Sequence, residues 1–401
     1  MRITGQFPFC SAPLSEDTYT GCQGRCVYCF SQNRAGSKGG AAKSGPVAKK
    51  SRGIEHPVKA LLQSPLGNLA VHLGGLTDPL PDVEVSVHRT AEFIERVLPE
   101  RAIVMSTKND IRKFPRVMEA IMQRPGAFLY QTSIETDNAK TFTVIGGEAQ
   151  ASIAERLGAI EEMSSRGVAC VVRMQPFVRD WWVGLSSFMQ RIASSGARGI
   201  IIEHLKFGAG VTRWGRLEKA CEKLGMSLDD LGSSRREGDR SLPVLEKIAN
   251  YSEVSKLAHG VGLACFAGDN VIRGLGDSPY CCGQELMPDF QLEWVSSNNL
   301  TAQAWRGRKI DAGAVPNMDK TSGKALANTG LAQDSKRRDQ IRRMTIREVL
   351  GAWALNDYRM SGMFPYAKKI KPGVWQQSEE WMSFCNKIRK PKKEGDRDGL
   401  S

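Results

Sequence analysis

Short apolar runs alternate with amphipathic stretches over most of residues 14–270. The apolar runs are typical of buried strands, and the stretches between them have the apolar spacing of helices. Strands are predicted over 68–77, 102–106, 128–135, 168–175, 199–205 and 262–267, and helices over 88–98, 111–123, 151–166, 185–194 and 242–259. Strand–helix units of this length favour parallel strands with crossover helices. We therefore predict an α/β fold, a partial TIM-like (β/α)6 barrel with reactive groups at the carboxyl ends of its strands.

The pattern becomes irregular beyond about residue 283. Residues 301–343 contain few large apolar side chains and are typical of loops. A helix is predicted near 344–361, and the tail from Lys387 onward is predicted to be disordered. These features divide the chain into a barrel, residues 1–282, and a basic, partly helical C-terminal extension, residues 283–401.

Positive charge is concentrated in two regions. The net charge is +13, and residues 301–401 supply +10 of it, from 21 Lys and Arg against 11 Asp and Glu. The loop 34–53, predicted to be flexible, has six Lys and Arg and no acidic residue. Such clusters bind polyanions because each neutralised phosphate releases counterions. They predict contact with a nucleic acid through the loop 34–53 and the C-terminal region; a solvated loop and tail that only aid solubility are the alternative.

Composition indicates a soluble globular protein, with 41% hydrophobic and 25% charged residues. No apolar run reaches the roughly eighteen residues of a membrane span, so no membrane association is expected. The first residues also lack the apolar segment of a secretory signal. The ten cysteines do not resemble a disulfide framework, and a reducing cytoplasm is the expected compartment.

Three cysteines form the most specific motif of the chain. Cys22, Cys26 and Cys29 have the spacing C-x3-C-x2-C, and Tyr28 immediately precedes the third. Three thiolates at this spacing can each bind one iron of a 4Fe–4S cluster, which leaves the fourth iron open to a substrate or cofactor. We expect these cysteines to be both the metal ligands and the catalytic centre.

The cysteine motif resembles that of the radical S-adenosylmethionine (SAM) superfamily. Further segments resemble the subgroup that includes spore photoproduct lyase and the DNA repair photolyase-like proteins. These segments are residues 74–79 together with Glu84, residues 106–109, residues 133–136, residues 156–160 together with the preceding Glu148, and residues 171–176. These segments occur in the expected order within residues 10–210, and they indicate the subgroup only jointly.

The resemblance implies a reaction that uses two cofactors, a 4Fe–4S cluster and SAM. SAM would bind the open iron through its amino and carboxylate groups. An electron from a low-potential donor, similar to flavodoxin or ferredoxin, would cleave it to a 5′-deoxyadenosyl radical that abstracts hydrogen from the substrate. The lumen of the barrel would keep that radical away from solvent.

The resemblance also implies the residues that bind SAM, which are Tyr28, Gly74, Gly75, Thr77, Asp78, Lys108, Ser133, Glu135 and Arg173. Lys108 would pair with the SAM carboxylate, and Gly74 would let the backbone approach the amino group; a surface lysine and a simple turn are the alternatives. Arg173 lies in an otherwise apolar strand, so it must face polar groups or a ligand; a structural salt bridge with Glu135 or Glu203 is the alternative.

One departure limits the resemblance. Spore photoproduct lyase uses a cysteine near the position of Gly74 as a hydrogen donor, and the segment 72–79 contains none. The SAM machinery is therefore carried over, and the repair reaction is not.

The remaining cysteines give weaker indications. Cys170 and Cys265 lie in apolar runs and are predicted to be buried, inert thiols. The adjacent pair Cys281 and Cys282 lies in a polar loop, where a radical relay, a redox pair and a second metal site are open alternatives. Cys10 is near the motif in sequence, which is the one indication that it faces the active site.

Three functions follow from the sequence. The favoured one is a radical SAM enzyme that acts on a nucleic acid, by repair or modification. The second is a radical SAM enzyme whose substrate is a peptide, a protein side chain or a small metabolite. The third is a non-enzymatic nucleic-acid-binding protein in which Cys10 or His56 completes a zinc site. Structural zinc normally takes four ligands in two close pairs, so the triplet disfavours it.

Overall fold

The computed structural model describes residues 2–3, 9–29, 48–49, 53–55, 58–59, 69–146, 150–208, 214–232, 234–236, 239–290, 299–307, 309–311, 313, 339–341 and 343–389. Most of the predicted flexible loop 34–53 lies outside these ranges, as do His56, Glu148 and the tail beyond residue 389.

The described residues form sixteen strands and thirteen α-helices. The strands are β1 Arg2–Ile3, β2 Leu14–Glu16, β3 Tyr19–Thr20, β4 Ala48–Lys49, β5 Val71–Leu73, β6 Ile103–Thr107, β7 Phe128–Ser133, β8 Ala169–Phe177, β9 Gly199–His204, β10 Lys206–Gly208, β11 Ser234–Arg236, β12 Asp239–Ser241, β13 Ala264–Ala267, β14 Ile310–Asp311, β15 Ala367–Lys371 and β16 Val374–Gln377. The helices are α1 Glu84–Val87, α2 Arg89–Val97, α3 Pro115–Met122, α4 Ala139–Ile145, α5 Ile153–Ser165, α6 Leu185–Ser194, α7 Gly215–Lys223, α8 Leu228–Leu231, α9 Val244–Gly260, α10 Leu300–Trp305, α11 Ile346–Ala354, α12 Asp357–Met363 and α13 Glu379–Ile388. Short 3-10 turns are Ile111–Lys113, Pro125–Ala127, Arg179–Trp181, Asn270–Leu275 and Gln284–Leu286.

The main sheet has eight strands in the order β1-β2-β5-β6-β7-β8-β9-β13. Strand β1 is antiparallel to β2, and the other seven strands are mutually parallel. The first and last strands of this order are not hydrogen-bonded to each other, so the barrel is partial. The predicted α/β, partial TIM-like fold is confirmed, and all six predicted strands are present. The additional parallel strand is β2, whose three residues, two of them polar, are too few to give a periodic signal.

The parallel strands have two distinct faces because side chains alternate along each strand. One face packs against the helices and contains residues such as Val71, Met105 and Tyr130. The opposite, inner face has an apolar layer formed by Ala70, Val104, Leu129, Val171, Ile201 and Phe266. Met287 covers this layer, which therefore closes one end of the lumen.

The described part of the C-terminal extension packs on the turn Asn270–Leu275, which follows the last barrel strand. A three-stranded sheet, β14-β16-β15, lies beside α10, and α13 packs against the same turn and against α9. The Trp305 indole donates a hydrogen bond of 2.8 Å to the Gly276 carbonyl. The segment predicted as one helix near 344–361 forms two, α11 and α12. Asn356 and Asp357 stand at the start of the second, where such residues favour a new helix N-terminus.

The cysteine motif follows a small antiparallel ladder. Strand β3 pairs with β4, with Tyr19 opposite Lys49 and Thr20 opposite Ala48. One end of the basic loop 34–53 is therefore attached directly to the strand that leads into Cys22.

In the ranges described above, no helix is both long and apolar enough to cross a membrane.

Gly74 ends strand β5 in a conformation that favours glycine. Its φ is +86°, and a Cβ there would lie 2.4 Å from the Ser106 carbonyl oxygen on the neighbouring strand. Gly75 has no such restriction, because a Cβ there would meet nothing closer than 3.9 Å. Of these two glycines, Gly74 is therefore the one that the close approach to the Ser106 carbonyl requires.

We predict that Gly74→Ala lowers the free energy of unfolding by at least about 2 kcal/mol, since it adds a left-handed backbone cost to a steric clash. Urea unfolding followed by circular dichroism measures it. Gly75→Ala is the matched control and is expected to change stability by less than about 1 kcal/mol. Equal losses in the two variants would contradict this explanation.

Candidate active site

The cysteine loop is attached to the barrel through the end of helix α4. The Val27 amide donates a hydrogen bond of 3.2 Å to the Ile145 carbonyl. Gly146, with φ +118°, allows close contact, because a Cβ there would lie 2.9 Å from the Cα of Cys26. The Cys29 amide donates to the Cys26 carbonyl over 3.3 Å, which makes a turn between the second and third cysteines.

Two of the three cysteine sulfurs converge on one space. The sulfurs of Cys22 and Cys26 each lie 3.6 Å from the point where a Cβ at Gly24 would be, and the amide nitrogen of Gln150 lies 3.3 Å from it. We call this space, bounded by Cys22, Gly24, Cys26 and Gln150, the thiol pocket. Burial, followed by the nearby Asp78 carboxylate, raises the pKa of the Cys22 thiol to about 12.

The thiol pocket fits the ligand chemistry of an iron–sulfur cluster. Its donors are thiols, and the absent side chain of Gly24 leaves open the position between them. Among the described residues, no three His, Cys, Asp or Glu side chains are gathered around one point as ligands.

A buried charge network lies beside the thiol pocket. Glu135 is 1% exposed and forms ion pairs with Lys108, through Oε1, and with Arg156, through Oε2 at 3.2 Å. The Lys108 ammonium also donates to the Tyr28 hydroxyl at 2.8 Å and lies 4.9 Å from the centre of its ring. The network thus joins the residue after strand β6, the segment after strand β7, helix α5 and the cysteine loop.

The two cations determine the protonation state of Glu135. Burial alone would raise the pKa of this carboxyl, but Lys108 and Arg156 together hold it below its usual value. Burial raises the pKa of Tyr28, and Cys26 and Glu135 raise it further. At neutral pH the network therefore contains a carboxylate, two cations and a neutral phenol.

The other predicted SAM-binding residues of the segment 74–79 hold neighbouring loops together. The Asp78 carboxylate accepts hydrogen bonds from the Thr107 hydroxyl and from the Lys108 amide, both at 2.7 Å. The Thr77 hydroxyl donates to the Tyr19 carbonyl at 3.4 Å. Asp78 thereby fixes the backbone of Lys108 at the carboxyl end of β6.

A second polar group lies on the inner face of the sheet, above the apolar layer. Ser106 is its centre: its hydroxyl is 2.8 Å from the His72 ring and 2.7 Å from both the Gln131 amide oxygen and the Arg173 guanidinium. Arg173 also contacts Gln175, whose amide donates to Glu203 at 2.6 Å. Burial and the neighbouring Arg173 lower the pKa of His72 to about 3, so its ring is neutral.

Arg173 therefore faces polar company, as its place in an apolar strand predicts. Its partners are Ser106, Gln131 and Gln175, and it reaches Glu203 only through Gln175. Its Nε is buried and has no hydrogen-bond partner within the described ranges. This atom is therefore an unsatisfied buried donor on the inner face of the sheet.

The structure brings the predicted site residues together in two groups. Tyr28, Asp78, Lys108 and Glu135 are linked to one another, and the Ser133 carbonyl joins them by accepting a hydrogen bond from Arg156. Arg173 belongs to the inner-face group. Residues that the sequence did not name as site residues complete both groups; they are His72, Ser106, Gln131, Gln150, Arg156 and Gln175. Glu203, which the sequence named only as a possible salt-bridge partner of Arg173, joins the inner-face group through Gln175. A polar residue within an apolar strand, such as Gln131, is the signal that could have found the inner-face members.

Cys10 lies beside Cys281 and Cys282. Burial and the Cys281 thiol raise the pKa of Cys10 to about 12, and burial and the same thiol raise that of Cys282. The Ser11 hydroxyl is 3.7 Å from the Cys282 sulfur, and the Gln131 amide donates to the Cys282 carbonyl at 2.7 Å. The contact of Ser11 with Cys282 joins the segment before β2 to the segment after β13. Cys170 and Cys265 are fully buried, as predicted.

No family model matches the chain, and no curated protein does. Solved structures do match. A variant of spore photoproduct lyase with bound AdoMet and dinucleoside spore photoproduct aligns with a TM-score of 0.51 and 15% identity, over 66% of this chain and 80% of the other. A second variant of spore photoproduct lyase aligns with the same TM-score, identity and coverage. The chain shares the fold of spore photoproduct lyase. This likeness agrees with the resemblance that the cysteine motif carries.

We predict that Glu135→Gln lowers the free energy of unfolding by about 3 kcal/mol at neutral pH, because it leaves Arg156 buried without its carboxylate. The folded-state pKa of Glu135 is depressed, so its contribution is complete above the unfolded-state pKa of about 4.3 and is lost as the pH falls below it. Urea unfolding of both proteins at several pH values measures the difference.

The control for this prediction is Glu155→Gln. Glu155 precedes Arg156 in helix α5, and the change removes its exposed ion pair with Lys113. Its expected cost is less than about 1 kcal/mol. A similar cost for the two variants, or a difference that persists in acid, would show that the buried network does not stabilise the fold.

Proposed function

We propose that this protein is a radical SAM enzyme that binds a 4Fe–4S cluster through Cys22, Cys26 and Cys29 and acts on a nucleic acid. One observation carries the proposal. In a chain with the fold of spore photoproduct lyase, the Lys108 ammonium pairs with the buried Glu135 and donates a hydrogen bond to the Tyr28 hydroxyl of the cysteine loop.

The residues around the cysteine loop have separate tasks in this proposal. The three thiolates hold the cluster, which when bound supplies the electron that cleaves SAM. The Lys108 ammonium has three donors; Tyr28 and Glu135 accept two of them, and the third would pair with the SAM carboxylate. Glu135 and Arg156 keep Lys108 in place, and Asp78 holds its backbone.

The inner face of the sheet forms the substrate chamber in this proposal. Its apolar layer, closed by Met287, excludes water from one end, which protects a radical from quenching. Above that layer, Ser106, Gln131 and Arg173 offer hydrogen-bonding groups that can orient a polar substrate. The free Nε of Arg173 is the donor assigned to a ligand.

A nucleic acid is the substrate class favoured by charge. The basic loop 34–53 joins the cysteine loop through the β3–β4 ladder, so a bound phosphate backbone would lie near the reacting atoms. The spore photoproduct lyase variant of similar fold has a dinucleoside spore photoproduct bound. Because the segment 72–79 has no cysteine, we do not assign the repair of a thymine dimer. The electron donor that we propose is a low-potential protein similar to flavodoxin or ferredoxin.

The cluster is tested with Cys26→Ala after anaerobic reconstitution. The variant is expected to lose iron and sulfide, and its 5′-deoxyadenosine production from SAM and dithionite should fall to the level seen without protein. Cys221→Ala, which removes a buried thiol from helix α7, is the control and should retain both properties. Cleavage of SAM by the Cys26 variant at the wild-type rate would overturn the proposal, and a single zinc ion in place of iron would favour the non-enzymatic alternative.

The nucleic-acid partner is tested by fluorescence anisotropy with labelled DNA and RNA oligonucleotides. Affinity is expected to fall steeply between about 50 and 200 mM salt. The double variant Lys49→Gln and Lys50→Gln should reduce the slope of log K against log salt by about two, since about one phosphate contact is lost with each lysine.

The matched control removes two exposed lysines of helix α7, Lys219→Gln and Lys223→Gln. It should bind as the wild type does. Absence of binding at low salt would favour a peptide or metabolite substrate, and equal weakening by both double variants would remove the basic loop from the binding surface.

A further inference from the structure

Gln150 makes a direct contact with one of the cluster-binding cysteines. Its side-chain amide nitrogen lies 2.9 Å from the Cys26 sulfur, and its amide oxygen accepts a hydrogen bond of 2.7 Å from the Arg156 guanidinium. Gln150 also borders the open position at Gly24, so it is part of the wall of the thiol pocket. Neither the cysteine motif nor the resemblance indicates this residue.

The orientation of the Gln150 amide is determined by its neighbour. A guanidinium has donors only, so the amide group that faces Arg156 must be the oxygen. The NH2 group is then directed at the sulfur. This orientation is the one that stabilises a thiolate.

Arg156 is itself fixed. It is fully buried, and its Nε donates to the Ala151 carbonyl at 2.9 Å while another nitrogen pairs with Glu135 at 3.2 Å. Arg156 therefore connects Glu135 to Gln150 through a side chain that is buried and held at both ends. Just beyond Gln150, a capping box between Ser152 and Glu155 starts helix α5 and fixes the local backbone.

We infer that Gln150 is a positioning residue that holds Cys26 by an N–H···S hydrogen bond and raises the reduction potential of the cluster. The inference rests on the proposed function. Reduction adds negative charge that is shared by the cysteine sulfurs, so a donor to sulfur stabilises the reduced form more than the oxidised form. Loss of the donor makes the cluster harder to reduce.

The test uses two variants of the full chain, Gln150→Leu and Gln150→Glu, after anaerobic reconstitution. Leucine removes the donor at similar size. Glutamate keeps the contact with Arg156 and also lacks the donor, and its negative charge shifts the midpoint in the same direction. A wild-type midpoint in the glutamate variant therefore rules out a role for the donor even if the leucine variant folds poorly. Both are expected to bind iron, with a reduction equilibrium constant about tenfold lower, which corresponds to a midpoint about 59 mV more negative for one electron. A redox titration followed by electron paramagnetic resonance measures the midpoint.

Gln23→Leu is the control from the same loop. The Gln23 amide bonds to the Asp82 carboxylate at 2.9 Å, and its loss should leave the midpoint unchanged. Wild-type midpoints in both Gln150 variants, or an equal shift in the Gln23 variant, would overturn the inference while leaving the cluster intact. A wild-type protein that takes up no iron would instead overturn the proposed function, and this inference with it.

Discussion

The buried carboxylate of Glu135 is the constraint on which the site depends. It is surrounded by protein and carries a charge, so it is stable there only because Lys108 and Arg156 approach it from two sides. Those two cations come from different elements of the barrel, the end of strand β6 and the interior of helix α5. The ion pairs therefore specify how strand, helix and cysteine loop fit together, in addition to any role that they have with a ligand.

On the inner face of the sheet, apolar and polar residues occupy different positions along each strand. Val104 is followed two residues later by Ser106, Leu129 by Gln131, and Val171 by Arg173. The first member of each pair packs in the apolar layer, and the second faces the inner-face polar group. Between β6 and β7 the two kinds of position match, with Val104 opposite Leu129 and Ser106 opposite Gln131. On β8 the pair is displaced by two residues, because Val171 lies opposite Gln131 and Arg173 opposite Ser133. On each strand the apolar member comes first, so the polar members lie nearer the carboxyl ends of the strands.

The sequence was sufficient for the elements whose apolar pattern is long. The helix α5 and the strands β7, β8 and β9 lie where the periodicity predicts them. It was not sufficient for contacts between distant residues. Arg156 lies on an amphipathic helix, where an arginine normally faces solvent, and its burial depends on a carboxylate 21 residues earlier in the chain. The same holds for Gln150, whose partner Cys26 is 124 residues away.

The described C-terminal segment ends in a residue that ties it to the barrel. The Arg389 guanidinium lies 4.3 Å from the centre of the Trp305 ring and donates to the Gly274 carbonyl at 2.8 Å. Trp381 and Cys385 approach the same glycine closely. These contacts couple the two parts of the molecule energetically, so that they should melt in a single cooperative transition rather than one after the other.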